Sequence, residues 1–287
     1  MAPVSAVSVG QAVLEAASGD FTGRVAGVFG GGFYVSGPSG TVFAVLGPRY
    51  WPGPLHLVTS TMAVLPAIHD QVRFSGRELV AGPLRVRLAG SVPWAPRLPA
   101  RLEADSAAWH GIAPGVGADL AGVDGIASGV DVGLAGVDGI AGVWETIVGD
   151  VRRGNLAPVF RRLQGRGHGL TPTGDDVLAG ILLVAAIDPR WRDALADLAR
   201  AARTTRLSRA FLRWAAAGQS IQPAHALLDA AASGDQAGMR RAAASLAGVG
   251  ATSGRALAAG IALAATELAG TSASTSKCGD TRWCGPS

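Results

Sequence analysis

The 287-residue chain is poor in several residue types, and each shortage excludes a class of protein. Only Cys278 and Cys284 are cysteines, so we expect no disulfide scaffold and a cytoplasmic location. A C-x5-C pair without histidine neighbours is also a poor zinc site. The longest apolar runs, Val177 to Ile187 and Ala256 to Ala265, are too short to cross a bilayer and are typical of buried helices. The N-terminus has no basic flank and no long apolar core, so no secretory signal is expected.

Aromatic and charged residues are also sparse, at 6% and 16% of the chain, whereas 48% of residues are hydrophobic, which is typical of a packed protein. The charge is unevenly distributed. Residues 1–150 hold 8 Lys+Arg against 12 Asp+Glu, and residues 151–287 hold 17 against 9, a local net charge of +8. This excess favours anionic ligands or an acidic partner. The arginines are scattered among alanines without interleaved aromatics, and there is no zinc-finger or RNA-binding motif. We therefore expect a small anionic substrate and no nucleic acid.

Residues 21–96 have the pattern of a β-rich domain. Short segments that are β-branched or alternate in polarity are separated by Gly and Pro, which is typical of strands. Their close spacing predicts an antiparallel barrel or sandwich. A helix over Ser8 to Ala17 is expected to precede it. The domain is predicted to span residues 1–112. His56 and His69 have no candidate catalytic or metal-binding partners nearby in the sequence. Isolated histidines of this kind are more often structural or exposed residues than ligands.

The rest of the chain is predicted to be helical, which makes the fold class α+β. Apolar residues recur at three- and four-residue spacing over residues 144–270. The predicted helices are Trp144–Arg153, Leu156–Gln164, Asp176–Ile187, Arg190–Thr204, Ser208–Ala217, Ala224–Ala232, Ala237–Leu246 and Gly254–Leu268. Before them, LAGVDGIA occurs at 120–127 and again at 134–141. So much glycine disfavours a helix, and we interpret residues 113–143 as a duplicated linker. Residues 271–287 are predicted to be a disordered tail.

The helical domain matches itself at an offset of 80 residues. Gly154 then meets Gly234, Thr173 meets Ser253, and the block from Ala179 to Ile181 meets that from Ala259 to Ile261. We interpret this as two pseudo-symmetric helix–glycine loop–helix repeats, residues 150–185 (the first segment) and 230–265 (the second segment). Small residues at equivalent places in the second helix of each segment would allow these helices to pack closely. The two glycine loops would then approach one another.

Each glycine loop ends at a hydroxyl residue, Thr173 or Ser253, which is well placed to cap the helix that follows. Free backbone N–H groups behind two such caps would form an anion site. The alternative is capping alone, since Thr173-Gly-Asp-Asp176 fits a capping box and Asp175 would be a first-turn carboxylate favoured by the helix dipole. The glycines of GRGHG (165–169) favour a ligand, because capping does not require them.

A run of arginines in RTTRLSR (203–209) provides one further candidate. Positions three apart drift around a helix, so these side chains cannot all face one ligand. If a new helix begins at Ser208 after a break near Thr204–Thr205, Arg209 stands at its start, where a cation is disfavoured unless an anion is close. Arg209 is therefore a candidate for binding a substrate carboxylate.

Three stretches together resemble the AllH family, a subunit of the anaerobic oxamate carbamoyltransferase. They are GRGHGLTPTGDDVLAGIL (165–182), TTRLSRAFLRWAAAG (204–218) and GVGATSGRALAAGIAL (248–263). Together with the β-rich front, the resemblance covers most of the chain outside the linker and tail. It implies phosphorolysis of oxalurate to oxamate and carbamoyl phosphate, late in anaerobic allantoin breakdown. It also implies partner subunits of a carbamoyltransferase complex. The second block departs from the family pattern at Ala251 and Ala256, where His and Asp are expected, which puts in doubt a catalytic role for the second segment.

The chemistry that the resemblance implies needs positioning and charge stabilisation and not a covalent nucleophile. Asp175 and Asp176 are the predicted catalytic residues, orienting a substrate amide N–H, or less favourably holding Mg²⁺ through water. No cofactor is otherwise expected. The predicted substrate- and anion-binding residues are Gly167, Gly169, Thr171, Thr173, Gly174, Arg209, Ser253 and Gly254. The alternative from another class is a non-catalytic scaffold or regulatory anion-binding subunit, in which the motif is only a helix cap.

Overall fold

A computed structural model describes residues 3–110, 112 and 143–272. Most of the predicted linker, both LAGVDGIA copies and both cysteines therefore lie outside the described residues. Within the described part of the chain, none of the helices has the length and apolar character needed to cross a membrane.

The N-terminal region is an eight-stranded barrel with one additional strand. The strands are β1 (Val4–Val9), β2 (Thr22–Phe29), β3 (Gly32–Ser36), β4 (Val42–Leu46), β5 (His56–Thr59), β6 (Gln71–Ser75), β7 (Glu78–Ala81), β8 (Leu84–Arg87) and β9 (Val92–Pro93). They follow the order β5-β4-β3-β2-β6-β7-β8-β1, and β1 closes the barrel by pairing with β5. Strand β9 adds to β1 outside this ring. Inward side chains such as Phe33, Val35 and Val72 are fully buried and fill the interior.

The predicted β-rich barrel is confirmed, and two details of the prediction are corrected. Residues 4–9 form strand β1, and helix α1 begins only at Gln11 and ends at Ala17. The segment VSAVSV alternates well enough for a strand, and its partners lie far along the chain. The barrel is also not purely antiparallel, because β4 pairs with β5 and β1 with β8 in parallel. Residues 47–55 give the chain the length it needs to return for the β4–β5 pair.

The C-terminal region is helical, and each of the eight helices predicted there is present. The helices after α1 are α2 (Ser106–His110), α3 (Trp144–Arg152), α4 (Leu156–Leu163), α5 (Thr173–Ala185), α6 (Arg192–Ala201), α7 (Arg206–Ala216), α8 (Gln222–Ala232), α9 (Gln236–Ala247) and α10 (Ser253–Ser272). Helices α5 and α10 pack against each other at the centre of the core, where Gly180 and Gly260 meet. A Cβ on Gly180 would overlap the Leu257 carbonyl oxygen, and one on Gly260 would overlap that of Val177.

The turns that open the two glycine segments have the same form. Gly154 and Gly234 both have left-handed φ, +69° and +68°, and the residue after each donates its N–H to a carbonyl five residues back, Asp150 and Ala230. The segments then diverge, because α4 is 8 residues long and α9 is 12. The pseudo-two-fold relation between them stays a prediction.

The barrel packs against the helical region along one seam. Ala12, Val42 and Leu55 of the barrel form an apolar cluster with Leu207 of α7. The Trp94 indole N–H also donates to the Ser220 carbonyl oxygen at 2.9 Å. Because α7 also packs on α5, the seam brings the outer face of the barrel towards the start of α5.

Candidate functional site

The glycine loop between α4 and α5, residues 164–172, is shaped by its own backbone. Gly167 has a φ of +108°, which L side chains rarely adopt. A Cβ there would also lie 2.7 Å from the Thr173 backbone nitrogen. The loop conformation therefore explains this glycine without a ligand. Gly169 is explained in the same way by its φ of +92°, although a Cβ there would meet open space.

The capping predicted for α5 is wrong. The N-cap position is Pro172, no side chain caps the helix, and Thr173 is its first residue. The loop satisfies the free N–H groups instead: Gly174 donates to the Arg166 carbonyl at 2.9 Å, and Asp175 and Asp176 both donate to that of Pro172. Proline supplies no side-chain acceptor, so the chain folds back to provide carbonyls. Three N–H groups of the expected anion site are thus already engaged.

The second glycine loop is arranged similarly. Ser253 is the first residue of α10 and not its cap, and the Gly254 N–H donates to the Val249 carbonyl at 2.9 Å. A Cβ on Gly254 would overlap the Leu246 carbonyl oxygen, as one on Gly174 would overlap that of Leu163. These two predicted anion-binding glycines therefore have a packing role, because each lets a helix start against the end of the helix before it.

Asp175 is buried and ties three parts of the site together. It is 2% exposed. Its Oδ1 accepts the Gly165 N–H at 2.8 Å, and its Oδ2 accepts a short hydrogen bond from the Thr204 hydroxyl. Both carboxylate oxygens are therefore occupied by protein donors. The geometry makes Asp175 a positioning residue that holds the glycine loop to the chain between α6 and α7.

The chain between α6 and α7 also corrects the prediction for Arg209. Thr205 caps α7 by accepting the Ser208 N–H at 3.1 Å, so Ser208 is not the cap and Arg206 is the first helical residue. The Thr205 hydroxyl donates to the Leu170 carbonyl at 2.6 Å. Arg209 is exposed and donates to the Thr204 carbonyl at 3.2 Å. It therefore lies one turn into the helix, next to the clamp that Asp175 makes.

Asp176 differs from its neighbour, because its Oδ2 is buried without a hydrogen-bond partner among the described residues. Burial raises the pKa of Asp176 to about 8. A hydrogen bond from Ser253 opposes this shift, and the nearby charge of Asp175 adds to it. Asp176 is thus mostly protonated at neutral pH and can donate a hydrogen bond, as a carboxylate cannot.

Two of the predicted hydroxyl residues lie next to this carboxyl group. Thr171 Oγ1 and Ser253 Oγ are hydrogen-bonded at 2.9 Å, which joins the two glycine loops. Thr171, Asp176 and Ser253 thus form a polar cluster built from one loop and two helix starts (the hydroxyl–acid cluster). Among the described residues, no three His, Cys, Asp or Glu side chains are grouped as a metal site requires.

The barrel contributes residues that the sequence does not reveal. Burial raises the pKa of Tyr34, on the outer face of β3, and the charges of Asp176 and Tyr50 raise it further, so Tyr34 lies near the hydroxyl–acid cluster. The Arg49 guanidinium lies 5.3 Å from the centre of the Tyr50 ring. In the sequence Tyr34 is one outward position of an alternating strand. No motif around it indicates that it lies near Asp176, which is far along the chain.

Comparison with known proteins gives a family match within the helical part of the chain. No curated protein and no solved structure matches it. Residues 163–265 match the family model described as Oxamate carbamoyltransferase subunit AllH, a range that contains Asp175, Asp176 and Ser253 but not the barrel. The resemblance carried by the glycine blocks is therefore confirmed over residues 163–265, which are similar to the AllH family.

Proposed function

We propose that the chain is a subunit of an oxamate carbamoyltransferase-like complex. In this proposal it works with other subunits in the phosphorolysis of oxalurate, or of a related ureido acid, in anaerobic allantoin and purine catabolism. The support is the AllH family match over residues 163–265. The proposed substrates are small anions, no nucleic acid or membrane partner is proposed, and the proposed location is the cytoplasm.

The observation that carries the proposal is the mostly protonated carboxyl group of Asp176, which lies beside two hydroxyls and whose Oδ2 has no hydrogen-bond partner among the described residues. In phosphorolysis a phosphate oxygen attacks the carbamoyl carbon, the bond from that carbon to the oxamate nitrogen breaks, and that nitrogen gains a proton. Negative charge develops on the carbamoyl oxygen during the attack. A neutral carboxyl group can donate a hydrogen bond to that oxygen, while its other oxygen accepts a substrate amide N–H.

Asp175 has a separate part in this proposal. Both of its oxygens are engaged by Gly165 and Thr204, so it acts by holding the glycine loop in place and not by touching substrate. This also makes a Mg²⁺ site of the two aspartates a weaker proposal, because Asp176 alone would supply a free carboxyl.

The test is co-expression with the presumed partner subunits and an assay for carbamoyl phosphate formed from oxalurate and phosphate. Asp176→Asn keeps the shape and neutrality of the group but leaves no acidic proton, and we expect it to abolish most activity without lowering the melting temperature. The matched control is Asp197→Asn on α6, whose side chain is 72% exposed and pairs only with Arg200. Inactivity of the complete wild-type complex across related ureido acids would contradict the proposal.

A second candidate is a non-catalytic scaffold or regulatory subunit. It is favoured by the glycine loop, whose N–H groups and acidic side chain are largely engaged within the protein. The loss of the expected His and Asp at Ala251 and Ala256 favours it as well. In that case Asp176→Asn leaves the activity of the complex intact.

A further inference from the structure

A groove follows the seam between the barrel and the start of α7. Its volume is about 510 Å³, and it lies between β2, the end of β3, the start of β6 and α7. None of the described residues that line it is Asp or Glu. The polar side chains in its wall are Thr22, Arg24, Ser36, His69, Gln71 and Arg206.

Two guanidinium groups enter the groove from opposite sides, and neither is neutralised within the described chain. Arg206 crosses from α7 to donate to the Ser36 hydroxyl at 2.8 Å. Arg24 on β2 donates to the His69 backbone carbonyl at 3.4 Å. Both acceptors are uncharged, and among the described residues neither arginine contacts a carboxylate. The groove therefore holds two positive charges without a counter-charge.

Two local features of the groove are energetically unfavourable in the protein. Arg206 is the first residue of α7, which has no acidic residue in its first turn, and the helix dipole disfavours a cation there. Across the groove, His69 is the one non-glycine residue of the described chain with a positive φ, +75°. Strained backbone of this kind is concentrated at ligand sites.

We propose that this groove binds the phosphoryl group of a small phosphorylated molecule. The planar guanidinium fork matches two phosphoryl oxygens, and a hydroxyl and an imidazole supply further donors. The groove is much larger than one phosphate ion, which leaves room for the rest of the molecule. Ser36 and Tyr34 are two residues apart on the outer face of β3, so the site lies about 7 Å along the strand from Tyr34.

The experiment measures binding of pyrophosphate to the full chain alone, by titration calorimetry at low ionic strength. We expect one saturable site. Arg206→Gln and Arg24→Gln should each weaken the affinity roughly tenfold or more, because each removes a charge-assisted hydrogen bond to the anion. The matched control is Arg213→Gln, which removes the same charge from an exposed position on α7 outside the groove and should keep wild-type affinity.

Two outcomes would overturn the proposal: no saturable pyrophosphate binding by the wild type, or equal weakening in all three variants, which would indicate unspecific attraction to positive charge. Because Arg206 also contacts Ser36, a melting curve of each variant separates binding from folding. If Arg206→Gln does not fold, Arg24→Gln decides alone. The measurement needs no partner subunit and no turnover, so its failure is distinct from failure of the proposed carbamoyl transfer.

Discussion

The two glycine segments have the same backbone device and different chemistry. In each, a glycine next to the first residue of a helix, Gly174 or Gly254, packs against a carbonyl of the preceding helix. At the next two positions the first segment has Asp175 and Asp176, and the second has Arg255 and the buried Ala256. The glycines that the two segments share allow the helices to pack closely. At the two positions that follow, only the first segment has acidic residues. The backbone device is therefore common to both segments, whereas the adjacent pair of carboxyl groups belongs to the first segment alone.

The largest expected effect comes from breaking what the segments share, the contact between α5 and α10. Gly180→Ala and Gly260→Ala should each lower the free energy of unfolding by about 3 kcal/mol or prevent folding, because the new methyl overlaps a backbone carbonyl. Urea denaturation measures this. Gly149→Ala in α3 is the control: its Cβ would be 3.4 Å from the nearest atom, and it should stabilise by about 0.5–1 kcal/mol. Equal behaviour of all three variants would contradict the close crossing.

The next effect separates Asp175 from its counterpart in the second segment. Asp175→Asn should lower the free energy of unfolding by about 2 kcal/mol, because an amide has one acceptor oxygen for the two donors on Gly165 and Thr204. Arg255→Gln, at the equivalent position, should cost less than about 1 kcal/mol. If the two variants are equally stable, the clamp does not hold the loop.

The pH dependence of stability tests whether Asp176, which has the non-ionisable Ala256 as its equivalent in the second segment, is protonated in the folded state. The raised pKa, about 8, means that the folded state binds more protons than the unfolded state between pH 3.8 and 8. This contribution is complete below pH 3.8 and is lost as the pH rises through 8. Asp176→Asn should therefore remove the loss of stability that occurs between about pH 4 and pH 8. Melting temperatures across that range measure it, and an unchanged slope in the variant would show that Asp176 is ionised at neutral pH.

At acid pH, the same melting temperatures report the ionisation of a second buried group, His225. Burial lowers the pKa of His225 to about 4, and its Nε2 accepts the Ser220 N–H. The stability that His225 contributes is present above pH 6.5 and is lost as the pH falls to about 4, because the unfolded chain then binds more protons. This loss should persist in Asp176→Asn, which makes it an internal reference.

A smaller effect is expected where the segments touch, at the hydrogen bond between Thr171 and Ser253. Thr171→Ala and Ser253→Ala should each cost about 1 kcal/mol, and the double variant should cost less than the sum. Ser253→Ala should also raise the pKa of Asp176, because the hydrogen bond that lowers it is lost. Ser245→Ala on α9, an exposed hydroxyl bonded only to its own helix, is the control. Strict additivity would mean that the two loops are not coupled.

The smallest effect on stability concerns the exposed arginines after α6. Arg209→Ala should weaken substrate binding by the complex more than Arg203→Ala, while both change the free energy of unfolding by less than about 0.5 kcal/mol. The reason is the position of Arg209, beside the Thr204 carbonyl and the Asp175 clamp. Equal apparent affinities of the two variants would leave Arg209 as surface charge.

The sequence predicted the elements of the fold better than their partners. Apolar spacing located every helix from Trp144 onwards, and alternation located the strands after residue 21. Strand β1 was missed because its ladder depends on residues far along the chain, which local pattern cannot register. The start of α5 was missed because Pro172 replaces a side-chain cap with returning carbonyls.

Within the site, the sequence identified the segment that contains the two aspartates but could not assign them different roles. Asp175 and Asp176 are adjacent in the motif, but successive side chains on a helix point about 100° apart. One is therefore saturated by the loop and the other faces the hydroxyls. The sequence suggested Arg209 as the arginine at the start of a helix, whereas the first helical residue is Arg206. Anion binding by either arginine stays a prediction. The groove that Arg206 lines is formed largely by strands of the barrel, and no sequence motif indicates that the barrel packs against α7.

The position of β1 in the barrel has a kinetic consequence. Val4 pairs with Val86 on one side and Ala6 with Thr59 on the other, so β1 has no neighbours until β5 and β8, which follow it in the chain, have been made. Closing such long loops costs chain entropy before any contact rewards it, and folding of such topologies is slow. Until then residues 4–9 present two unpaired edges, a recognised route to aggregation. A nascent chain in which β8 has not yet been made is therefore expected to need protection that the finished barrel does not.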